Sequence, residues 1–382
     1  MTKSEELKQQ LFKKEKCGWQ NISEERKNEI FEYCSKYMEY LNKSKTEREI
    51  IKTSKKMAEE QGFKNIEEVK KLKSGDKVYY INHEKSMYLA VIGKNSIEKG
   101  INIIGAHADS PRLDLKPKPL YEDNGKIEIS IGESEEDPIF TITDLLPHLA
   151  QEQMERKLKD GVKGEELNLL IGSMPFKEKD ISDSVKLNIM SILNQKYGIT
   201  EVDFVSSELE LVPAFKARSL GFDSSMVAAY GQDDKVCVYT SLTSLLSIEK
   251  PETTAICIIS DKEEIGSMGN TGMESHVFDT FVSEILNKLE INVPNLLDKV
   301  FCNSRMLSAD VDAAYDPIYS SVHDKLNSGY LGRGIGLNKY TGSRGKSGAS
   351  DANAEYVAKI RGIFENANVQ YEVAELGKVD NG

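Results

Sequence analysis

Apolar residues recur at helical spacing over 23–42, where Ile30, Phe31, Cys34, Tyr37, Met38 and Leu41 share a face. Ser23 precedes the run as a candidate N-cap, and Glu24 and Glu25 fill the first turn, where negative charge complements the helix dipole. Arg26 stands where a capping box needs Glu or Gln, so the reciprocal bond is not expected. Segment 46–60 predicts a second, more charged helix. Segments 78–82 and 87–93 read as strands joined by a turn near Glu84. Three further apolar runs predict buried strands: 101–107 (INIIGAH), 253–260 (TTAICIIS) and 299–310 (KVFCNSRMLSAD). They deliver His107, the run Asp261-Lys262-Glu263-Glu264, and Asp310 at their C-terminal ends. Helices are predicted over 235–248, with Asp233-Asp234 at its start, and over 276–291 and 351–366, before a last strand at 369–375. Strands alternating with helices predict an α/β fold with a mostly parallel central sheet flanked by helices.

The stretch 116–225 breaks this rhythm. It holds alternating runs at 126–132 (KIEISIG) and 138–146 (PIFTITDLL), a charged loop-like run at 151–183 and a helix near 184–197, and it predicts an inserted domain. A length of 382 residues leaves room for two to three domains. The net charge of −12 argues against a surface built to neutralise phosphates, so nucleic acid is not an expected partner. No apolar run is long enough for a membrane span, and the charged start MTKSEELKQQLFKKEKCGW lacks the apolar core of a secretory signal. The expected compartment is the cytoplasm. Cys17, Cys34, Cys237, Cys257 and Cys302 lie far apart with no Cys-x-x-Cys pair, which excludes a disulfide framework or a thiolate zinc site.

The chemistry lies in the placement of His107, Glu263-Glu264 and Asp310 at strand ends and of Asp233 at a helix start. In open α/β sheets, ligands bind outside the carboxyl ends of the strands. Carboxylates converging there repel one another unless a cation sits among them. Imidazole nitrogen and carboxylate oxygen suit zinc or a similar divalent ion in a hydrolytic site. One bridging carboxylate can span a pair of ions. Asp109, two residues past His107, is placed to orient the imidazole. Within the adjacent glutamates, one can bind metal while the other faces the attacking water as general base. Each motif alone also fits a plainer role: a satisfied His-x-Asp pair, an Asp-Asp N-cap, a solvated Glu-Glu loop. Spacing leaves these alternatives open.

The runs GAHADSPRLDLKPKP (105–119), ELELVPAFKARSLGFDSSM (208–226), YGQDDKVCVYTSL (230–242), SDKEEIGSMGNTG (260–272), SADVDAAYDP (308–317) and KYTGSRGKSGASDANAEYV (339–357) resemble, in order, segments of the M18 metallo-aminopeptidases, the aspartyl aminopeptidase and aminopeptidase I family, in its bacterial branch. The resemblance implies a zinc-dependent exopeptidase that removes N-terminal residues from peptides and holds two zinc ions. His107 and Asp310 would hold one ion, Glu264 the other, and Asp233 would bridge them. Glu263 would be the general base, and Asp109 would steady His107. It also implies a discontinuous peptidase domain of the zinc exopeptidase type, 1–115 and 226–382, interrupted by a β-rich dimerisation domain at 116–225. Homo-oligomers built from dimers, commonly dodecameric shells, would confine the sites to a chamber reached by peptides.

Two departures from the family follow. Its remaining ligand to the second metal is a histidine in a run resembling Met-His-Ser near the C-terminus, whereas the last histidine here is His323. The expectation is a C-terminally truncated chain with an incomplete second metal site. Histidines that other members carry shortly after the strand-end aspartate are replaced here near Ala313 and Asp316. Other classes remain open at this point: a non-catalytic assembly protein that binds peptides or cargo, or a different dinuclear zinc hydrolase such as a deacylase. Preference for acidic or neutral N-terminal residues is not legible. His148 is either a contact to a neighbouring subunit's site or a surface histidine. The cluster Lys339, Arg344 and Lys346 is either a receptor for substrate carboxylates or a solvated loop.

Overall fold

A computed structural model describes residues 2–13, 17–20, 22–116, 136–178, 182–291, 293–340 and 351–378. The chain divides into two units, Met1–Ser110 with Ala217–Gly382, and Pro111–Lys216.

The first unit is built on a six-stranded sheet of β1 (Lys64–Asn65), β2 (Lys77–Asn82), β3 (Ser86–Val91), β4 (Asn102–His107), β5 (Ala255–Ser260) and β6 (Arg305–Ser308), in the spatial order β1-β2-β3-β5-β4-β6. The pairs β1–β2, β5–β4 and β4–β6 are parallel. The reversed strand is β3, antiparallel to both β2 and β5. It is reversed because a tight turn through His83 and Glu84, both with left-handed φ, folds β2 back on β3. The other five strands run one way, which is the mostly parallel sheet expected.

Alternation along the strands separates two buried faces. Met87, Leu89, Val91, Cys257 and Ile259 face one side. There they meet Tyr37, Tyr40 and Leu41 of α1 (Glu24–Asn42), Ile50, Ile51 and Ala58 of α2 (Glu47–Glu60), and Val238, Leu242 and Leu245 of α3 (Gln232–Leu246). Tyr88, Ala90, Ile256 and Ile258 face the other side, against Phe281, Val282 and Ile285 of α4 (Val277–Lys288) and Leu296 and Val300 of α5 (Leu296–Asn303). Tyr239 of α3 gathers the rings of Tyr33, Tyr37 and Tyr40 at centroid distances of 5.3, 5.3 and 5.1 Å. Each such pair contributes about 0.5–1.5 kcal/mol beyond its buried area. Ser23 caps α1, its Oγ accepting the Arg26 N–H at 3.1 Å, a bond worth about 1 kcal/mol.

The run 299–310 departs from its expected form. It holds the end of α5 and then a short strand, β6, and all four β6 residues are exposed. Leu296, Leu297, Val300 and Phe301 recur at helical spacing, and burial of Leu296 and Val300 draws that stretch into a helix. Ser304 ends it: its Oγ donates to the Val300 carbonyl at 2.6 Å and accepts the Ile101 N–H at 3.0 Å. The expected buried strand is therefore a short, exposed one that pairs with β4. Further along, Ile335–Leu337 pairs in parallel with Tyr371–Val373, and the helix expected near 351–366 is Ala354–Asn366.

Among its described residues the second unit pairs Leu113–Asp114 with Glu210–Leu211 and Thr141–Ile142 with Leu169–Leu170, and forms a helix over Ser184–Tyr197. The alternating run 126–132 lies outside the described residues, and 138–146 contributes only Thr141–Ile142 to a strand. Among the described residues, no helix is long and apolar enough to cross a membrane.

Candidate metal centre

Because β4, β5 and β6 are parallel, their C-terminal ends lie along one edge of the sheet. The register sets Ser260 opposite His107 and Ser308 opposite Gly105. His107 closes β4 and is buried; Asp310 lies two residues beyond β6. Asp233 and Asp234 sit in the first turn of α3 with non-helical backbone angles, joined by a cis peptide bond.

These segments meet. His107 Nε2 lies 3.2 Å from Asp233 Oδ1 and 3.8 Å from Asp310 Oδ1. His107, Asp234 and Asp310 each offer one ligand atom, all within 4.8 Å of one another. Asp109 ties the cluster together. Its Oδ1 lies 3.1 Å from His107 Nδ1, and its own carbonyl oxygen lies at the same distance. Both neighbours of Nδ1 are acceptors, so Nδ1 carries a hydrogen, and Nε2 is the nitrogen that faces Asp233 and Asp310. The same carboxylate accepts the Glu263 N–H at 3.0 Å and the Glu264 N–H at 3.2 Å. Glu263 and Glu264 are thus fastened to the end of β4 through their backbone, while their side chains are exposed.

The electrostatics favour a cation. Burial opposes protonation of His107, but its contacts with Asp109 and Asp310 and the charges of Asp234 and Asp109 outweigh that, and its pKa is pushed up to about 11. Burial, followed by the charge of Asp310, raises the Asp233 carboxyl. Burial likewise pushes Asp234 up to about 7. Burial and the charge of Asp233 raise Glu264. Both oxygens of Asp234 are buried with no well-formed hydrogen bond; the weak donors beside them are the Cys237 thiol and the His107 backbone N–H. Burial and Asp234 push that thiol far up, so a thiolate is not on offer. A buried imidazole nitrogen that a cation can deprotonate, carboxylate oxygens around it and no thiolate form a donor set that fits zinc.

The sequence motifs pointed to Asp233 within the Asp-Asp pair, and the structure adds Asp234, which lies in the tight group with His107 and Asp310. An N-cap reading of the pair leaves no role for a second buried carboxylate, and that surplus charge was the available signal. His148 sits exposed in a turn of the second unit. Lys339 donates its backbone N–H to Glu375, and Arg344 and Lys346 lie outside the described residues.

The family model described as aminopeptidase I zinc metalloprotease (M18) matches residues 40–133 and 120–382. The chain belongs to the M18 peptidase family. A relative from Clostridium acetobutylicum, named probable M18 family aminopeptidase 1, is 44% identical over 410 residues, spanning 97% of this chain and 88% of its own. The crystal structure of an M18 aminopeptidase from Thermotoga maritima superposes with a TM-score of 0.91 at 40% identity, over 97% of this chain and 88% of that one. Aminopeptidase I from Clostridium acetobutylicum superposes with a TM-score of 0.89 at 43% identity, over 97% and 89%. Family, fold class and enzyme class, a metallo-aminopeptidase, agree with the expectation from sequence.

Proposed function

We propose that this M18 peptidase is a dinuclear zinc aminopeptidase that removes single N-terminal residues from peptides. The observation that carries this is the meeting of His107, Asp233 and Asp310 from three separate elements, with His107 Nε2 3.2 Å from Asp233. His107 and Asp310 would hold one ion, Glu264 would hold the other at the site expected to be incomplete, and Asp233 would lie between them. Bound zinc would supply Lewis acidity at the scissile carbonyl and lower the pKa of water. Glu263 takes a proton from the attacking water and delivers it to the nitrogen of the leaving amine. Asp109 acts through others, holding His107 in the required tautomer and the Glu263-Glu264 backbone against β4. The surrounding carboxylates favour a substrate that brings a free, positively charged amino terminus.

Residues 1–115 and 226–382 form the peptidase domain in this reading, and 116–225 an inserted dimerisation domain. Leu146, Leu149 and Leu158 of the second unit are 65%, 69% and 99% exposed, which supports burial against another copy. Homo-oligomers built from dimers, dodecamers by family resemblance, would act on peptides in the cytoplasm.

The test is Glu263→Gln, assayed for metal content and for turnover on a panel of aminoacyl anilides with acidic and neutral residues. The expected variant binds as much zinc as the parent and loses nearly all turnover, by about 100-fold or more. Strong residual turnover rejects Glu263 as the base. Turnover of N-acylated substrates, with none on free-amine peptides, rejects aminopeptidase specificity.

A further inference from the structure

Lys235, two residues past Asp233, is fully buried at 0% exposure, an unusual position for a lysine. Its Nζ donates to Ser110 Oγ at 2.8 Å. Ser110 Oγ in turn donates to the backbone carbonyl of Asp233 at 2.7 Å. The Tyr230 ring lies beneath the same nitrogen, 4.4 Å from its centroid, and the Tyr230 hydroxyl donates to the Ser110 carbonyl at 3.4 Å. The pocket is shaped for this side chain. Gly231 has φ +74, and a Cβ there would stand 2.0 Å from Lys235 Nζ and 2.8 Å from Ser110 Oγ. A glycine is therefore required on two counts, its left-handed backbone and the space taken by the amine.

Two chain segments are joined by this relay. Ser110 follows directly on Asp109, which fixes His107; the carbonyl it grips belongs to Asp233, which faces His107 Nε2. The distance between imidazole and carboxylate is thus set from behind, at the backbone of both.

We propose that Lys235 is a positioning residue for the metal centre: seated in the space left by Gly231, its amine aims Ser110 at the Asp233 carbonyl and holds the turn that presents the Asp233 carboxylate to His107. The inference rests on the metal-ligand role given above to His107 and Asp233. Groups of this kind behind a metal ligand change affinity or activity by about 10–100-fold when removed.

The experiment compares Lys235→Met, Ser110→Ala, the double variant and Asp233→Asn in the full chain. Zinc affinity is measured by competition with a chromophoric chelator, kcat and KM on an aminoacyl anilide, and folding by thermal unfolding. Lys235→Met and Ser110→Ala are each expected to weaken zinc binding by about 10-fold or more and to lower kcat with KM little changed. The double variant is expected to lose no more than the worse single one, because both cut one relay. Ser110→Ala keeps the lysine and carries the test if Lys235→Met does not fold. Wild-type zinc affinity in both single variants, or losses that add in the double, overturns the proposal. If Asp233→Asn binds zinc like the parent, the metal-ligand reading itself fails, whatever the relay variants do.

Discussion

Asp109→Asn is the sharpest probe of how the site is held. The Asp109 carboxylate is 4% exposed and accepts three hydrogens, from His107 Nδ1 and from the Glu263 and Glu264 amides, at 3.1, 3.0 and 3.2 Å. An amide of the same shape has one acceptor oxygen. With that oxygen in the Oδ1 place, two bonds lose their charge assistance and the new NH2 opposes the Glu264 N–H. An unsatisfied buried donor costs about 1–3 kcal/mol, and each weakened bond about 1 kcal/mol. Relief from burying a charge offsets part of this, leaving about 2–4 kcal/mol. For a unit of this size that lowers the unfolding midpoint by roughly 3–7 °C. With the amide reversed, the NH2 faces Nδ1 and drives the imidazole hydrogen to Nε2, the atom 3.2 Å from Asp233. In both orientations the imidazole loses its anionic partner, and zinc affinity is expected to fall about 10–100-fold. Thermal unfolding by circular dichroism and a chelator competition titration read the two effects separately. An unchanged midpoint together with zinc affinity within about threefold of the parent would refute the role given to Asp109.

Gly100→Ala is expected to cost about 2–5 kcal/mol, read as a lower denaturant midpoint, since φ is +96 and the new Cβ would stand 2.1 Å from the Asn303 carbonyl oxygen. Because Asn303 leads into β6, and β6 into Asp310, weaker zinc binding should accompany that loss. Alkylation by iodoacetamide at about pH 8, followed by mass spectrometry, is expected to label exposed Cys302 rapidly and to spare Cys257 until the protein unfolds. Burial pushes the Cys257 thiol up to about 12, so rapid labelling of the native protein would contradict its place in the core.

Much of the first unit was legible because its strands are apolar runs bounded by turns. The segments 101–107 and 253–260 read directly as β4 and β5, and parallel pairing then forces their following residues to one edge. Ser23, Glu24 and Glu25 marked the start of α1 because capping is a local event. The segment 299–310 was harder, since Val300, Phe301 and Leu307 fit a strand when the helical partners Leu296 and Leu297 are left out of the window. Exposed β6 gives no alternation to separate the two. At the site, the acidic residues were visible one by one, but the distances joining them were not. Asp234 and Lys235 looked like ordinary residues of a helix start, and their burial is a property of three elements closing on one another, which no short window of sequence contains.

The Asp109 contacts explain why the sheet and the site cannot be considered apart. A carboxylate that accepted only the His107 hydrogen would orient one ring. This one also takes two backbone hydrogens from the loop after β5, so the imidazole and the Glu263-Glu264 pair move as one body. On the other side, the Asp233 carbonyl is gripped by Ser110, the next residue along from Asp109. The chain 107–110 therefore ties down two of the other three arms of the cluster within four residues. Burial first, and the charge of Asp310 after it, raises the pKa of Asp233 and Asp234 while His107 lowers both, so the folded chain bears a desolvation cost there with some repulsion added. A divalent cation that binds only the folded arrangement relieves it, and by linkage its binding energy stabilises the fold. Anchoring the backbone behind Asp233, Glu263 and Glu264 is then what keeps the acidic groups together. Carboxylates free to turn outward would shed their repulsion into water, and the incentive to bind metal would vanish with it.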